Sequence, residues 1–148
     1  MIRLTDQVID VAALSAALPA SGALATFIGR VRDDGGVSEL FLEYYPGATE
    51  RALGEVADEA AARWALRDAL IVHRVGAMTP GEVIVFVAAA ADHRQPALDA
   101  CAFMIDRLKT QAPFWKRETR GREAGWVEQR GGDRAAAARW DQEPDASS

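Results

Sequence analysis

Two turn signals constrain most of what this chain can fold into. Asp33-Asp34-Gly35-Gly36 stands between two strand-like runs, Gly22–Arg32 and Val37–Tyr45, and Pro80-Gly81 stands between two more, Leu70–Val75 and Glu82–Ala90. Gly22–Arg32 reads as a buried strand, and Val37–Tyr45 puts Leu40, Leu42 and Tyr44 on one face with Glu39 and Glu43 on the other. Helical spacing separates and follows these strands. Asp10 can cap a helix over Val11–Leu18, ended by Pro19. Pro46-Gly47 breaks the chain, Thr49 is a candidate cap, and Leu53, Val56, Ala57, Ala60 and Trp64 then share one helix face. On its solvent side Glu59 and Arg63 form an i, i+4 pair, worth ~0.3–0.5 kcal/mol. A last helix is expected from about Pro96 to Thr110, with Pro113 just past its end and a buried stripe of Leu98, Cys101, Ala102, Ile105 and Leu108. Phe114–Arg117 and Gly125–Gln129 read as short extended pieces, and Asp133–Trp140 as a short helix. Strands that are both adjacent and separated by helices favour a single α+β domain over a doubly wound sheet.

The chain has 148 residues, which suits one domain and allows roughly 70% of the unfolded surface to be buried. The domain is expected to span residues 1–140, followed by a polar tail at 141–148 expected to be disordered. The net charge of −5 repels a phosphodiester backbone, so nucleic acid is a poor partner. One cysteine, Cys101, makes neither an internal disulfide nor a cysteine-rich metal site, and it fits a reducing cytoplasm. The start of the chain lacks a secretory pattern, and no run of about 18 apolar residues could cross a membrane.

Within this acidic chain the cations cluster. Arg30 and Arg32 lie at a strand end and would share a side-chain direction if the strand ran through both. His93 and Arg94 stand where a strand hands over to a helix N-terminus, where free N–H groups and the helix dipole favour an anion. Lys109 closes that helix, and Lys116-Arg117 follows Pro113. A fold-back at Thr110–Pro113 would bring Lys109 and Lys116 together, and neighbouring cations and burial both tune a lysine toward proton transfer. These features describe a pocket for a phosphate-bearing or carboxylate-bearing substrate, set against the plainer reading of solvated surface charge.

Other residues carry less. Cys101 sits on an apolar helix face and reads as a buried, inert thiol. His73 lies within a strand and reads as structural. Two histidines and one cysteine make a transition-metal site improbable, and neither a nucleophile elbow nor a Walker A loop occurs. No metal and no cofactor are expected.

The same residues carry a family resemblance. Thr26-Phe27-Ile28-Gly29-Arg30-Val31-Arg32, Leu42-Glu43-Tyr44-Tyr45-Pro46-Gly47-Ala48-Thr49-Glu50, Ile71-Val72-His73-Arg74-Val75-Gly76, Pro80-Gly81-Glu82 and Ala91-Asp92-His93-Arg94 occur in order. They are followed by Leu108-Lys109-Thr110-Gln111-Ala112-Pro113-Phe114-Trp115-Lys116-Arg117-Glu118 and by Trp126-Val127-Glu128-Gln129-Arg130. Over about residues 20–130 the chain resembles the catalytic large subunits of molybdopterin synthase.

The resemblance implies an α/β hammerhead fold with an additional antiparallel sheet. It implies a sulfurtransferase that inserts two sulfurs, in succession, into cyclic pyranopterin monophosphate to form the molybdopterin dithiolene. The sulfurs come from the thiocarboxylated Gly-Gly terminus of a small ubiquitin-like carrier. The large subunits form a homodimer within a heterotetramer. By position, Lys109 and Lys116 match the catalytic lysines. Arg32, His93, Arg94, Arg117 and Glu118 match substrate-pocket positions, with Arg30 and Val31 beside them. Arg130 matches a basic residue reached from the neighbouring subunit. Two departures stand out: Arg30 replaces a frequent lysine, keeping the charge without the lysine's proton-transfer ability, and Gln111 replaces an arginine. A different class of reading is a non-catalytic binding module for the carrier tail or a phosphorylated metabolite. A third is a structural dimer subunit with a solvated basic rim.

Overall fold

The computed structural model describes residues 1–121, 123–127 and 138–141. Its elements run β1 (Ile2–Thr5), α1 (Val11–Ala17), β2 (Ala23–Arg30), β3 (Glu39–Tyr44), α2 (Ala48–Trp64), β4 (Asp68–Arg74), β5 (Gly76–Met78), β6 (Val83–Ala91), α3 (Arg94–Gln111), β7 (Phe114–Arg120) and β8 (Glu123–Val127), with a 3₁₀ turn at Arg139–Asp141. They form two four-stranded sheets. The first has the order β1-β4-β6-β2 and is mixed, since β1 runs parallel to β4. The second, β5-β3-β7-β8, is antiparallel throughout. The expected α+β architecture with an additional antiparallel sheet is what the chain adopts.

The first sheet carries the core because β4 and β6 are apolar on both faces, as a central strand buried on two sides must be. On one face α2 and α3 pack Leu53, Val56, Phe103, Met104 and Leu108 against Ile71, Val85 and Val87. On the other, α1 and the preceding loop lay Ile9, Val11, Leu14 and Leu18 over Leu70, Val72, Phe86 and Ala88. Each large side chain so buried contributes about 1.5–3 kcal/mol. Trp140 closes the helical side, edge-on to Trp64 and Phe103, with its indole N–H donating to Asp106 at 2.6 Å.

Four local readings need correction. β2 is an edge strand whose outer face α1 does not reach, so Leu24 and Ile28 are 44% and 36% exposed. The strand also stops at Arg30, with a register shift after Gly29. Beyond it Val31 leaves the ladder, donating to the Glu82 carbonyl and accepting from the Gly81 N–H. The period of two is thereby broken, so Arg30 and Arg32 are not two successive residues of one strand face. Leu98 is 55% exposed, because α3 is apolar on several sides and its close approach to the sheet selects the small residues Ala97 and Ala100. Gly47 rather than Thr49 caps α2, with the Glu50 carboxylate accepting from the Gly47 N–H. The Asp133–Trp140 helix lies largely outside the described residues, as do Arg130, the end of Gly125–Gln129 and all of the 141–148 tail but Asp141, which belongs to the 3₁₀ turn. No helix among the described residues is long and apolar enough to cross a membrane.

Candidate functional site

The two lysines are carried by different layers, and the chain between them is tied down at each step. Lys109 lies exposed in the last turn of α3, where a cation suits the helix dipole. The helix closes with the Ala112 N–H donating to the Leu108 carbonyl at 3.3 Å. Pro113 then turns the chain into β7, and its carbonyl accepts from the buried Thr49 hydroxyl at 2.9 Å. The same Thr49 oxygen accepts from the Tyr45 N–H at 2.9 Å. Thr49 thus pins the end of β3, the start of α2 and the turn before β7 at one point. Phe114 stacks on His73, ring centroids 4.2 Å apart and planes 21° from parallel. Lys116, opposite Leu42 in the β3–β7 ladder, follows on the Phe114 face of the strand.

His73 sits within electrostatic reach of both lysines. Burial holds its imidazole down at about 4; a hydrogen bond to the Arg74 carbonyl opposes the shift, and Lys116 and Lys109 add to it. A carbonyl oxygen only accepts, so at 2.8 Å from it the Nδ1 atom carries the proton. The ring at this end of the molecule is therefore neutral at ordinary pH.

Arg30 and Val31 occupy the same end. Arg30 ends β2 opposite Val83, the first residue of β6, and its guanidinium donates to the Gly81 carbonyl at 3.5 Å. Val31 is buried against Leu40, Leu42 and Met78. Arg32 is exposed and lies 3.7 Å from Asp34, an open ion pair of small energetic weight. Behind this segment Arg74, 7% exposed, donates to Glu82 at 3.1 Å and to the Asp6 and Ala77 carbonyls. The Thr79 N–H and the Arg74 guanidinium both hold the Glu82 carboxyl below its usual range. This clamp fixes the Gly81–Glu82 backbone to which Val31 is bonded.

Alternation along β7 divides the remaining residues. Lys116 and Glu118 share one face, and Glu118 pairs there with Arg120 at 2.8 Å. Arg117 projects from the opposite face, over the rings of Phe41 at 4.9 Å and Trp126 at 5.8 Å. Trp115 lies on that face too, edge-on to Trp126 and donating from its indole N–H to the Tyr45 hydroxyl.

His93 and Arg94 are far from the lysines. They open α3, and Lys109 lies fifteen residues beyond Arg94, a rise of about 22 Å along the helix. Ala91, two residues before His93, pairs with Ala23 at the other end of β2 from Arg30. An acid–base frame holds this junction: Arg67 donates to both Asp92 oxygens, at 2.8 and 3.3 Å, and its backbone N–H donates to the Ala90 carbonyl at 2.7 Å. The Arg67 hydrogen bond keeps the Asp92 carboxyl below its usual range. Gly22 comes so close that a Cβ there would lie 2.0 Å from the Asp92 carbonyl oxygen. No acidic residue occupies the first turn of α3. Within one chain the candidate residues therefore form two cationic ends rather than one pocket.

The family model described as MoaE protein matches residues 4–111. The chain belongs to the MoaE family. It is 53% identical over 134 residues to the molybdopterin synthase catalytic subunit of Ralstonia nicotianae, covering 88% of this chain and 76% of that one. It is 48% identical over 148 residues to the subunit of the same name from Caulobacter vibrioides, covering 97% and 99%. The solved molybdopterin biosynthesis MoaE protein from Burkholderia ambifaria MC40-6 superposes with a TM-score of 0.83 at 49% identity, covering 96% of this chain and 98% of that one. The relatives match well beyond residue 111, so the MoaE-family likeness takes in β7 and Lys116 as well as α3.

Sequence reasoning passed over Thr49 as a tether, the Arg74–Glu82 clamp and the Arg67–Asp92 frame. Thr49 and Pro113 are 64 positions apart, and no local pattern announces such a bond.

Proposed function

We propose that this MoaE-family chain is the catalytic subunit of a sulfur-inserting synthase. It uses the thiocarboxylated terminus of a small ubiquitin-like carrier to place two sulfurs on cyclic pyranopterin monophosphate, forming the molybdopterin dithiolene. The observation that carries this reading is the lysine end: a helix terminus and a separate strand put Lys109 and Lys116 within electrostatic reach of one neutral, buried His73, on whose ring Phe114, two residues before Lys116, is stacked. Such an end suits two anions, a phosphate-bearing ring and a thiocarboxylate, with proton donors at hand. The nucleophilic sulfur belongs to the carrier, so the chain needs no reactive thiol. Burial pushes the Cys101 thiol up to about 11, far from a nucleophile at neutral pH.

In this reading Lys109 assists ring opening and proton transfer, and Lys116 stabilises the carrier terminus or a developing oxyanion. Arg30, Val31 and Arg32 line the same end, with Glu118 on the Lys116 face. His93 and Arg94 at the other end of α3 hold the phosphate of a substrate shared with a second copy. That separation of about 22 Å supports a homodimer in which each site draws on both chains. Arg117, on the opposite face of β7, and Arg130, outside the described residues, would meet ligand or partner from outside this end. The domain spans residues 1–140 with a polar tail at 141–148, and the chain works in the cytoplasm without membrane or nucleic acid.

The test is purified protein with thiocarboxylated carrier and cyclic pyranopterin monophosphate, reading molybdopterin as its fluorescent oxidation product. Product should form, and Lys109→Ala should abolish it while carrier binding persists. Carrier binding with no product from the unsubstituted chain would move the assignment to a binding module. Near-normal turnover in Lys109→Ala would remove Lys109 from the mechanism.

A further inference from the structure

His73 is a buried titratable group at the lysine end for which the sulfur-transfer reading has no task. Its place in the architecture gives it one. It belongs to β4 of the first sheet, whereas Phe114, on which it stacks, opens β7 of the second. Lys109 rides on α3, which packs against the first sheet, and Lys116 rides on β7 two residues past Phe114. How the two lysines stand relative to each other is therefore a question of how β7 is seated on the first sheet. The Thr49–Pro113 bond secures the turn before β7, and the His73–Phe114 stack secures the strand itself.

We propose that His73 is a positioning residue which, by stacking on Phe114, sets where Lys116 stands relative to Lys109. The assignment rests on the sulfur-transfer reading of that end. The ring is suited to the task in two ways. Its Nδ1–H is bonded to the Arg74 carbonyl at 2.8 Å, which fixes the ring plane against which Phe114 lies. Arg74 is in turn held by Glu82, so the ring is anchored to a braced stretch of backbone. The imidazole is also uncharged where lysines are cationic, so it adds no third positive charge beside two ammoniums. A misplacement of about 1 Å at a reacting group can cost ~10²-fold in rate, so the loss of such an anchor should be read in turnover.

His73→Ala and His73→Phe are compared with the unsubstituted chain in the molybdopterin assay, with kcat corrected for the folded fraction. His73→Ala should lower kcat by about tenfold or more, leaving KM for cyclic pyranopterin monophosphate and carrier affinity within about twofold. His73→Phe keeps a stacking ring but loses the bond to the Arg74 carbonyl, so it should recover part of that loss. Should His73→Ala fail to fold, Phe114→Leu removes the other ring and should give the same fall in kcat with KM held. A corrected kcat in His73→Ala or Phe114→Leu within about threefold of the unsubstituted chain would overturn the proposal, as would an equal loss in His73→Phe and His73→Ala. An unsubstituted chain that makes no product overturns the sulfur-transfer reading itself, which separates the two failures.

Discussion

Burial acts on Cys101 and His73 in opposite directions and leaves both uncharged, the thiol raised to about 11 and the imidazole lowered to about 4. For Cys101 the consequence is inertness. In the folded protein it should resist alkylation at pH 8, react once the chain is unfolded, and be dispensable for molybdopterin formation as Cys101→Ala. Mass spectrometry before and after denaturation checks the first two points, and modification of the folded chain at the rate of a free thiol would contradict them. For His73 the consequence is a pH dependence of stability. The unfolded imidazole titrates near 6.5 and the folded one near 4, so between those values the unfolded chain binds the extra proton. Stability should thus be unaffected by this group above about pH 6.5 and fall as pH drops toward 4, in total by on the order of 3 kcal/mol. Urea midpoints across that window should drop less steeply for His73→Phe than for the unsubstituted chain, and parallel slopes would count against the assignment.

At the level of elements, the sequence showed most of the strands and helices because their signals are local. α2 occupies the stretch that its apolar spacing marks, with Leu53, Val56, Ala57 and Ala60 buried as expected. β7 runs to Arg120, three residues beyond the expected piece, because its partners β3 and β8 supply hydrogen bonds that a charged sequence does not advertise. The stripe expected on α3 fails at Leu98 because several faces of that helix are apolar, and only the neighbouring layer decides which one is buried. The Arg74–Glu82 clamp was equally hidden, since a partly buried ion pair is a property of the assembled sheet. Glu82→Ala should destabilise the fold by about 2 kcal/mol, below the range for a fully buried pair, because Glu82 is 34% exposed and Arg74 keeps its two carbonyl partners. Denaturant titration measures it, and an unchanged midpoint would show that the clamp contributes nothing.

For the whole molecule, the residues picked out by the resemblance lie at two ends of this fold, which spacing alone does not show. Lys109 and Lys116, on the two sides of the Pro113 turn, both act electrostatically on His73, whereas His93 and Arg94 stand a helix length away. Cationic residues read along a chain look like one cluster until the lengths of α3 and β6 are laid out. If each site takes its lysines from one copy and its phosphate-binding pair from another, two damaged chains can restore one another. Lys109→Ala and Arg94→Ala, each inactive alone, should regain up to about a quarter of full turnover when mixed equally and allowed to exchange, because half the dimers are mixed and each holds one intact site. No recovery, with exchange shown by mass, would place each site within a single chain.

Gly22 brings a different kind of consequence. The space its missing side chain leaves is filled by the Asp92 carbonyl, which belongs to the frame that presents His93 and Arg94. A saturation library at this position should therefore return almost nothing but loss, because any Cβ must push the backbone of Asp92 aside. A mutational map of the protein would mark position 22 as intolerant as any ligand-touching residue, although what matters there is the room left for its neighbour.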